Sequence, residues 1–347
     1  MRALWLPIFS MRSYETGKYA ILKDGNFQLA LARALASDFD YVALGVPLNS
    51  SDYAEAAAFV HARTDRIKIR PFEYGENAVE TREIFWAAND VDKIHGFDLL
   101  ITDITGYYGK LPVIYNFNIT KLPELDRPYI DKFFEKDLKS IEQSLFTTVI
   151  NPRQREYILE VRPDLIDRVF FDLKCAHSLL LPKSKPTPPA CDPMLIFWPF
   201  RLSDKAYKWT EFLEAFERQG LADKGWFVVI TDPNESSGDA LPDYVQRIKP
   251  TKAEYYGHLD SVPMIVMLDD IDTVLHPGTV EFLYYGCPMV TFTSNLIDNP
   301  VAIDNLDQLE TALETAWYNM LDHTPFVYEP AETDQYYNQE FVRVCKN

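Results

Sequence analysis

Residues 273–292 read TVLHPGTVEFLYYGCPMVTF. A polar turn, HPG, separates two apolar runs, and a carboxylate, Glu281, stands just behind it. Pro277-Gly278 enforces a turn, and Gly278 has no side chain to keep a bulky group away from the backbone. Thr279 is the expected cap of a helix that begins there, with VEFLYY as its body. Gly286-Cys287-Pro288 closes that helix, and MVTFT, 289–293, reads as a strand. Upstream, MIVMLDD, 264–270, is a second apolar strand. Strand, turn, helix and strand in this order make a βαβ unit, whose turn lies at the edge where parallel sheets bind ligands. The helix start offers free amides and a positive dipole end to a phosphate. Glu281, expected in the first turn, can accept two hydroxyl protons from a vicinal diol such as that of a ribose. Phosphate on the turn and ribose on the carboxylate together describe a nucleotide site.

The same alternation runs outward through the chain. Strands are expected at 3–9, 40–46, 65–72, 97–103, 113–119, 147–150 and 167–173, then again at 194–200 and 225–231. Helices are expected at 26–36, with Asn26 as its cap, at 76–89, around 131–145, at 204–220 and at 304–321. Apolar strands alternating with amphipathic helices predict mostly parallel sheets covered on both faces. LLPKSKPTPPACDP, 180–193, interrupts the pattern with five prolines in fourteen residues, and reads as a linker. The expected organisation is an acceptor domain at 1–182, a linker at 183–193, a donor domain at 194–325, and a tail at 326–347 packing back on the first domain. The fold class is α/β, two Rossmann-like domains facing a cleft.

At 347 residues the chain is long for one compact domain and suits two of roughly 150–190 residues. A formal charge of −18, from 52 acidic and 34 basic residues, disfavours nucleic acid and anionic membranes as passive partners. Four cysteines, at 175, 191, 287 and 345, form no C-x-x-C pair and read as inert thiols in a reducing compartment. No stretch reaches transmembrane length, so a cytoplasmic location is expected. Nothing in the sequence speaks to oligomeric state.

Gly278-x-x-Glu281 followed by Gly286-x-Pro288 and a hydrophobic strand resembles the donor site of glycosyltransferases with two Rossmann-like domains, the GT-B architecture. The resemblance implies that Glu281 holds the donor ribose and that Gly278 and Thr279 face the diphosphate, with His276 adding a phosphate contact. IFWPFRLSDKAYKW, 196–209, resembles the start of the donor domain, where Arg201 and Lys205, with Lys208 behind, would reach the phosphates. Many retaining members carry a second Glu eight residues before the ribose ligand. This chain has Thr273 there, which favours inversion.

Inversion needs a base for the acceptor hydroxyl. Three loops of the first half offer one. TDITGYYGK, 102–110, places Asp103 at a strand end and is the first choice; Asp24 and Glu80 follow. Tyr107 and Tyr108 in the same loop can stack on a sugar or a base. SMRSYETGKYAILKDG, 10–25, resembles the loop that approaches the diphosphate in this architecture, which implies Gly17 as the first domain's contact. Asp269, Asp270 and Asp272 read as capping and loop charge, so no metal is expected; arginine, lysine and amides neutralise the phosphates. The co-substrate is a nucleotide-diphosphate sugar. The acceptor is an unidentified hydroxyl on a small molecule, a glycan or, against the net charge, modified DNA. Three alternatives share the half-site: a viral-type DNA glycosyltransferase acting on hydroxymethylated bases, a nonhydrolysing sugar-nucleotide 2-epimerase, and a nucleotide-binding protein without catalysis.

Overall fold

The computed structural model describes residues 1–9, 39–61, 65–117, 128–149, 152–171, 194–200, 207–231, 241–261, 263–268, 277–292 and 301–322, with 18, 19, 21, 32, 36 and 202 between them. The chain divides into two compact units, Met1–Leu180 with Ala331–Asn347, and Leu181–Pro330. The expected linker and tail lie outside the described residues, as do Asn26 and its expected helix apart from two positions.

The first unit opens on β1 (Arg2–Leu6), which ends where Pro7 can no longer donate to a neighbour. β2 (Tyr41–Pro47), α1 (Tyr53–His61), β3 (Ile67–Phe72) and α2 (Ala78–Ala88) follow. Next come β4 (Leu99–Thr102), β5 (Val113–Phe117), α3 (Pro128–Gln143), β6 (Phe146–Val149), α4 (Pro152–Val161) and β7 (Val169–Phe171). The sheet order is β3-β2-β1-β4-β5-β6-β7. Each pairing is parallel, with Trp5 in register between Leu44 and Ile101. Such strands are covered on both faces, which is why LLIT of β4 and FTTV of β6 are buried at every position. Leu4, Trp5, Leu44, Leu100 and Ile114 form the centre of the core. Tyr115, Phe134, Ile141 and Ile158 form a second cluster under β5 to β7.

The second unit runs β8 (Leu195–Trp198), α5 (Trp209–Arg218), β9 (Phe227–Ile230), β10 (Val245–Arg247) and α6 (Lys252–Asp260). It continues with β11 (Met264–Met267), α7 (Pro277–Tyr285), β12 (Met289–Phe292), β13 (Val301–Ile303) and α8 (Leu309–Asp322). Its order is β10-β9-β8-β11-β12-β13, again all parallel. α5 buries Trp209, Phe212, Ala215 and Phe216, one helical face, and its Phe212 ring lies 4.7 Å from that of Trp198 on β8. Each large side chain so buried contributes about 1.5–3 kcal/mol.

Two expectations change. Of the helix expected at 204–220, α5 begins at Trp209, because Lys208 takes a left-handed backbone, φ 52°, that a helix cannot continue through; 204–206 lie outside the described residues. The helix expected to start at Thr279 begins at Pro277, whose fixed φ and missing N–H suit the first helical position. Thr279 is therefore the third residue of α7 and not its cap, and Glu281 stands in the second turn and not the first.

Candidate functional site

Strand order reverses direction between β1 and β4 in the first sheet and between β8 and β11 in the second. Open parallel sheets leave a crevice beyond the strand ends at such a switch point, because the loops on its two sides run to opposite faces.

In the second unit, α6 starts after β10 and α7 after β11, so the N-terminal ends of both helices lie at the carboxyl edge of the sheet. α6 is opened by a capping box: Glu254 N–H donates to Thr251 Oγ1 at 3.3 Å, and Thr251 N–H to Glu254 Oε2 at 2.7 Å. Two consecutive tyrosines in its next turn reach α7. Tyr255 Oη donates to Glu281 Oε2 at 3.0 Å, and Tyr256 Oη to Glu281 Oε1 at 3.1 Å. Burial pushes both phenols above their ordinary range, and the Glu281 charge adds to it. They therefore remain protonated donors. In α7 the helix ladder leaves the amides of Gly278 and Thr279 without an intrahelical acceptor, one turn before Glu281. Negative charge is favoured at that end.

Lys208 adds a cation at the same edge. Its ammonium lies 4.7 Å from the centre of the Phe292 ring, which ends β12. β11 stands between β8 and β12, so Lys208, coming from the loop after β8, spans the end of β11. Arg201, Lys205 and His276, expected to reach the phosphates, lie outside the described residues, as do Asp269, Asp270 and Asp272. The structure thus brings together Gly278, Thr279 and Glu281 on one helix.

In the first unit, Asp103 follows β4 directly and stands at the switch point, 2% exposed. Beside it Thr102 Oγ1 donates to the Leu6 carbonyl at 2.8 Å and receives the Ile104 N–H at 3.0 Å, which binds the ends of β1 and β4 together. Tyr74 Oη donates to the Pro7 carbonyl at 2.9 Å, and its ring meets Phe9 at 5.5 Å and Phe85 at 5.0 Å. Burial, then the charge of Asp103, pushes the Tyr74 phenol well up. Glu80 does the work of a helix start: Asn77 Oδ1 takes the Glu80 N–H at 3.0 Å, and Glu80 Oε2 takes the Glu76 N–H. Asp24 and Gly17 lie outside the described residues.

The loop after Asp103 is tied to the body of the first unit along part of its length. Residues 103–112 form no helix and carry the chain back along the sheet to β5. Trp86 Nε1 donates to the Thr105 carbonyl at 2.6 Å, and Gly106 N–H to Ser140 Oγ at 3.0 Å. Tyr107 Oη donates to Asp92 Oδ1 at 2.7 Å, in the turn that leads into β4. That turn lies at the opposite edge of the sheet, so Tyr107 is a brace there.

Sequence reasoning missed the Tyr255–Tyr256–Glu281 cluster. No local spacing links 255 to 281. Among the described residues no helix is long and apolar enough to cross a membrane.

No family model and no curated protein matches the chain. Solved structures do. Anabaena HepE in complex with UDP-glucose superposes with a TM-score of 0.61 at 11% identity, covering 98% of this chain and 99% of that one. An α-glucosyltransferase in complex with UDP and a 13-mer DNA gives 0.58 at 10% identity, over 99% and 100%. A Listeria monocytogenes protein assigned as a UDP-N-acetylglucosamine 2-epimerase gives 0.53 at 11%, over 99% and 95%. The chain therefore has the GT-B-like fold, two parallel Rossmann-like sheets flanked by helices, that known nucleotide-sugar glycosyltransferases use.

Proposed function

We propose that this chain is a glycosyltransferase that moves a sugar from a nucleoside-diphosphate donor to an acceptor hydroxyl. The observation that carries the reading is the start of α7: two amides without helix partners, and one turn later a carboxylate held by two phenols. In this reading the Gly278 and Thr279 amides take the diphosphate, and Glu281 accepts the ribose hydroxyls. Lys208, Arg201, Lys205 and His276 supply the cationic and hydrogen-bonding groups for the phosphates, and no metal is needed. Gly17 is the first unit's contact with the diphosphate.

Transfer breaks the bond between the anomeric carbon and the β-phosphate oxygen and forms one to the acceptor oxygen. Charge builds on the leaving diphosphate, so fixed amides and cations there lower the barrier more than they tighten ground-state binding. The acceptor proton must leave, and we assign it to Asp103, which stands at the switch point of the first sheet. A base opposite the leaving group gives inversion. Solved structures of the same fold bind UDP or UDP-glucose, which supports a uridine donor. The charge of −18 favours a small-molecule or glycan acceptor over DNA.

Calorimetry with UDP, GDP and ADP tests the donor site. Glu281→Ala should weaken the best ligand about tenfold or more, the equivalent of one or two charge-assisted hydrogen bonds. Unchanged affinity removes Glu281 from the site. Asp103→Asn should cut turnover at least a hundredfold with donor affinity kept; near-normal turnover removes it as base. Sugar inversion at C2 of the donor without an acceptor would instead make the protein an epimerase.

A further inference from the structure

We infer that Tyr255 and Tyr256 are positioning residues for Glu281, fixing its carboxylate so that the site prefers ribonucleotides to 2′-deoxyribonucleotides. The inference rests on the reading of α7 as the donor site, and it assigns a role to the two phenols that hold its carboxylate.

Consecutive residues on a helix point about 100° apart and do not normally meet one target. Here both phenols converge on one carboxylate, one on each oxygen. Each ring is held by its own packing. Tyr255 lies 5.9 Å from Phe197 of β8, and Tyr256 stacks on Tyr285 of α7 at 5.9 Å and 23°. The two tyrosine rings themselves are 5.6 Å apart and inclined at 60°. Glu281 is thus bracketed by two rigid side chains of two χ angles each.

A free glutamate loses much rotamer freedom when it grips a ligand. A bracketed one has lost it before the ligand arrives, so the contact counts more fully towards affinity. A carboxylate has about four acceptor positions, and one phenol on each oxygen also sets the direction of the others. Without the bracket the carboxylate can swing to serve water or a single hydroxyl equally well, and discrimination between a diol and a single hydroxyl falls. Tying α6 to α7 would need only one such bond. The second bond adds orientation.

The test uses the full chain, with Tyr255→Phe, Tyr256→Phe, the double variant and Glu281→Gln. Affinities for UDP, ADP and GDP, each beside its 2′-deoxy form, are measured by calorimetry, and thermal melts confirm folding. The wild type should prefer the ribo form of its best nucleotide by roughly tenfold. Each Phe variant should lower that ratio about threefold, and the double variant should bring it close to that of Glu281→Gln, with 2′-deoxy affinity nearly unchanged. A double variant that keeps the wild-type ratio while Glu281→Gln loses it overturns the role of the tyrosines and leaves the donor site standing. No binding of any nucleotide to the wild type, or no ribo preference, overturns both. Should the double variant unfold, the single variants decide by the same ratio.

Discussion

Arg82 Nη1 stands 3.3 Å from Asp137 Oδ1 inside the first unit, with both side chains closed to water. The same oxygen receives the Tyr115 hydroxyl at 2.5 Å, and the guanidinium lies 5.7 Å from the Phe133 ring centre. α2, α3 and β5 each contribute one member, so the pair ties two helices to the sheet. Asp137 Oδ2 and Arg82 Nε find no hydrogen-bond partner among the described residues.

Removing one partner of such a pair leaves a buried, uncompensated charge. Arg82→Met should therefore cost about 3–5 kcal/mol, read from urea unfolding. Arg82→Met with Asp137→Leu should recover much of that loss. If the double variant is as unstable as the single one, packing and not charge is the cause.

Burial raises the Asp137 carboxyl above its ordinary value, with Arg82 and Tyr115 opposing. Without Arg82 the rise is larger. The folded state then binds the proton more readily than the unfolded state, and stability falls as pH rises from the unfolded value through the folded one. Arg82→Met should therefore be most stable in mild acid and lose stability towards neutrality. A melting temperature that rises over that span contradicts the sign.

A Cβ placed on Gly109 would overlap Asp92 Oδ1 and the Tyr107 hydroxyl. Gly109→Ala should destabilise by about 1–3 kcal/mol, since the Asp92 carboxylate and the Tyr107 hydroxyl must move aside and give up the hydrogen bond between them. Chemical denaturation measures this, and a neutral result would show the brace to be soft.

Lys208 is the one non-glycine residue with positive φ among the described residues. Lys208→Gly relieves that backbone and should leave stability equal or raise it by up to about 1 kcal/mol. Nucleotide affinity should fall severalfold with the cation gone. Thermal melts and calorimetry on one sample separate the effects; a fall in stability with unchanged affinity makes Lys208 a purely structural cap.

Tyr74, Tyr115, Tyr255 and Tyr256 all hold their protons more tightly in the fold, chiefly through burial. Their stabilisation is complete below the ordinary phenol value of about 10 and is lost as pH rises above it. Phenolate absorbance of these four should appear only together with alkaline unfolding. Early titration of the full tyrosine complement in native protein would contradict their burial.

Much of this architecture can be read from the sequence, for a physical reason. Strands buried on both faces carry unbroken apolar runs, and FVVI, MIVM and YVALGV identify themselves. Helix ends are harder. α5 starts at Trp209 because Lys208 before it takes a left-handed backbone, which no helical period in the sequence announces. α6 went unread because its apolar positions follow no helical period and Gly257 sits in its middle; its tyrosines serve Glu281 more than the core. The sequence singled out Glu281 because turn, helix and carboxylate are neighbours in it. Its phenol bracket and the Arg82–Asp137–Tyr115 group join segments distant along the chain, and no local pattern records such meetings.

The helix-free return from Asp103 to Leu111 also sets how the first unit comes together. Leu100 meets Val113 across it, while Ala3 must find Leu99 and Ile114 must find Phe146. Closing a short loop costs the least chain entropy, so β4 and β5 are the strands of this sheet best placed to pair first. Gly109→Ala should then slow refolding by nearly its full equilibrium cost and leave the unfolding rate almost unchanged. A variant that instead unfolds faster and refolds normally would place the nucleus elsewhere.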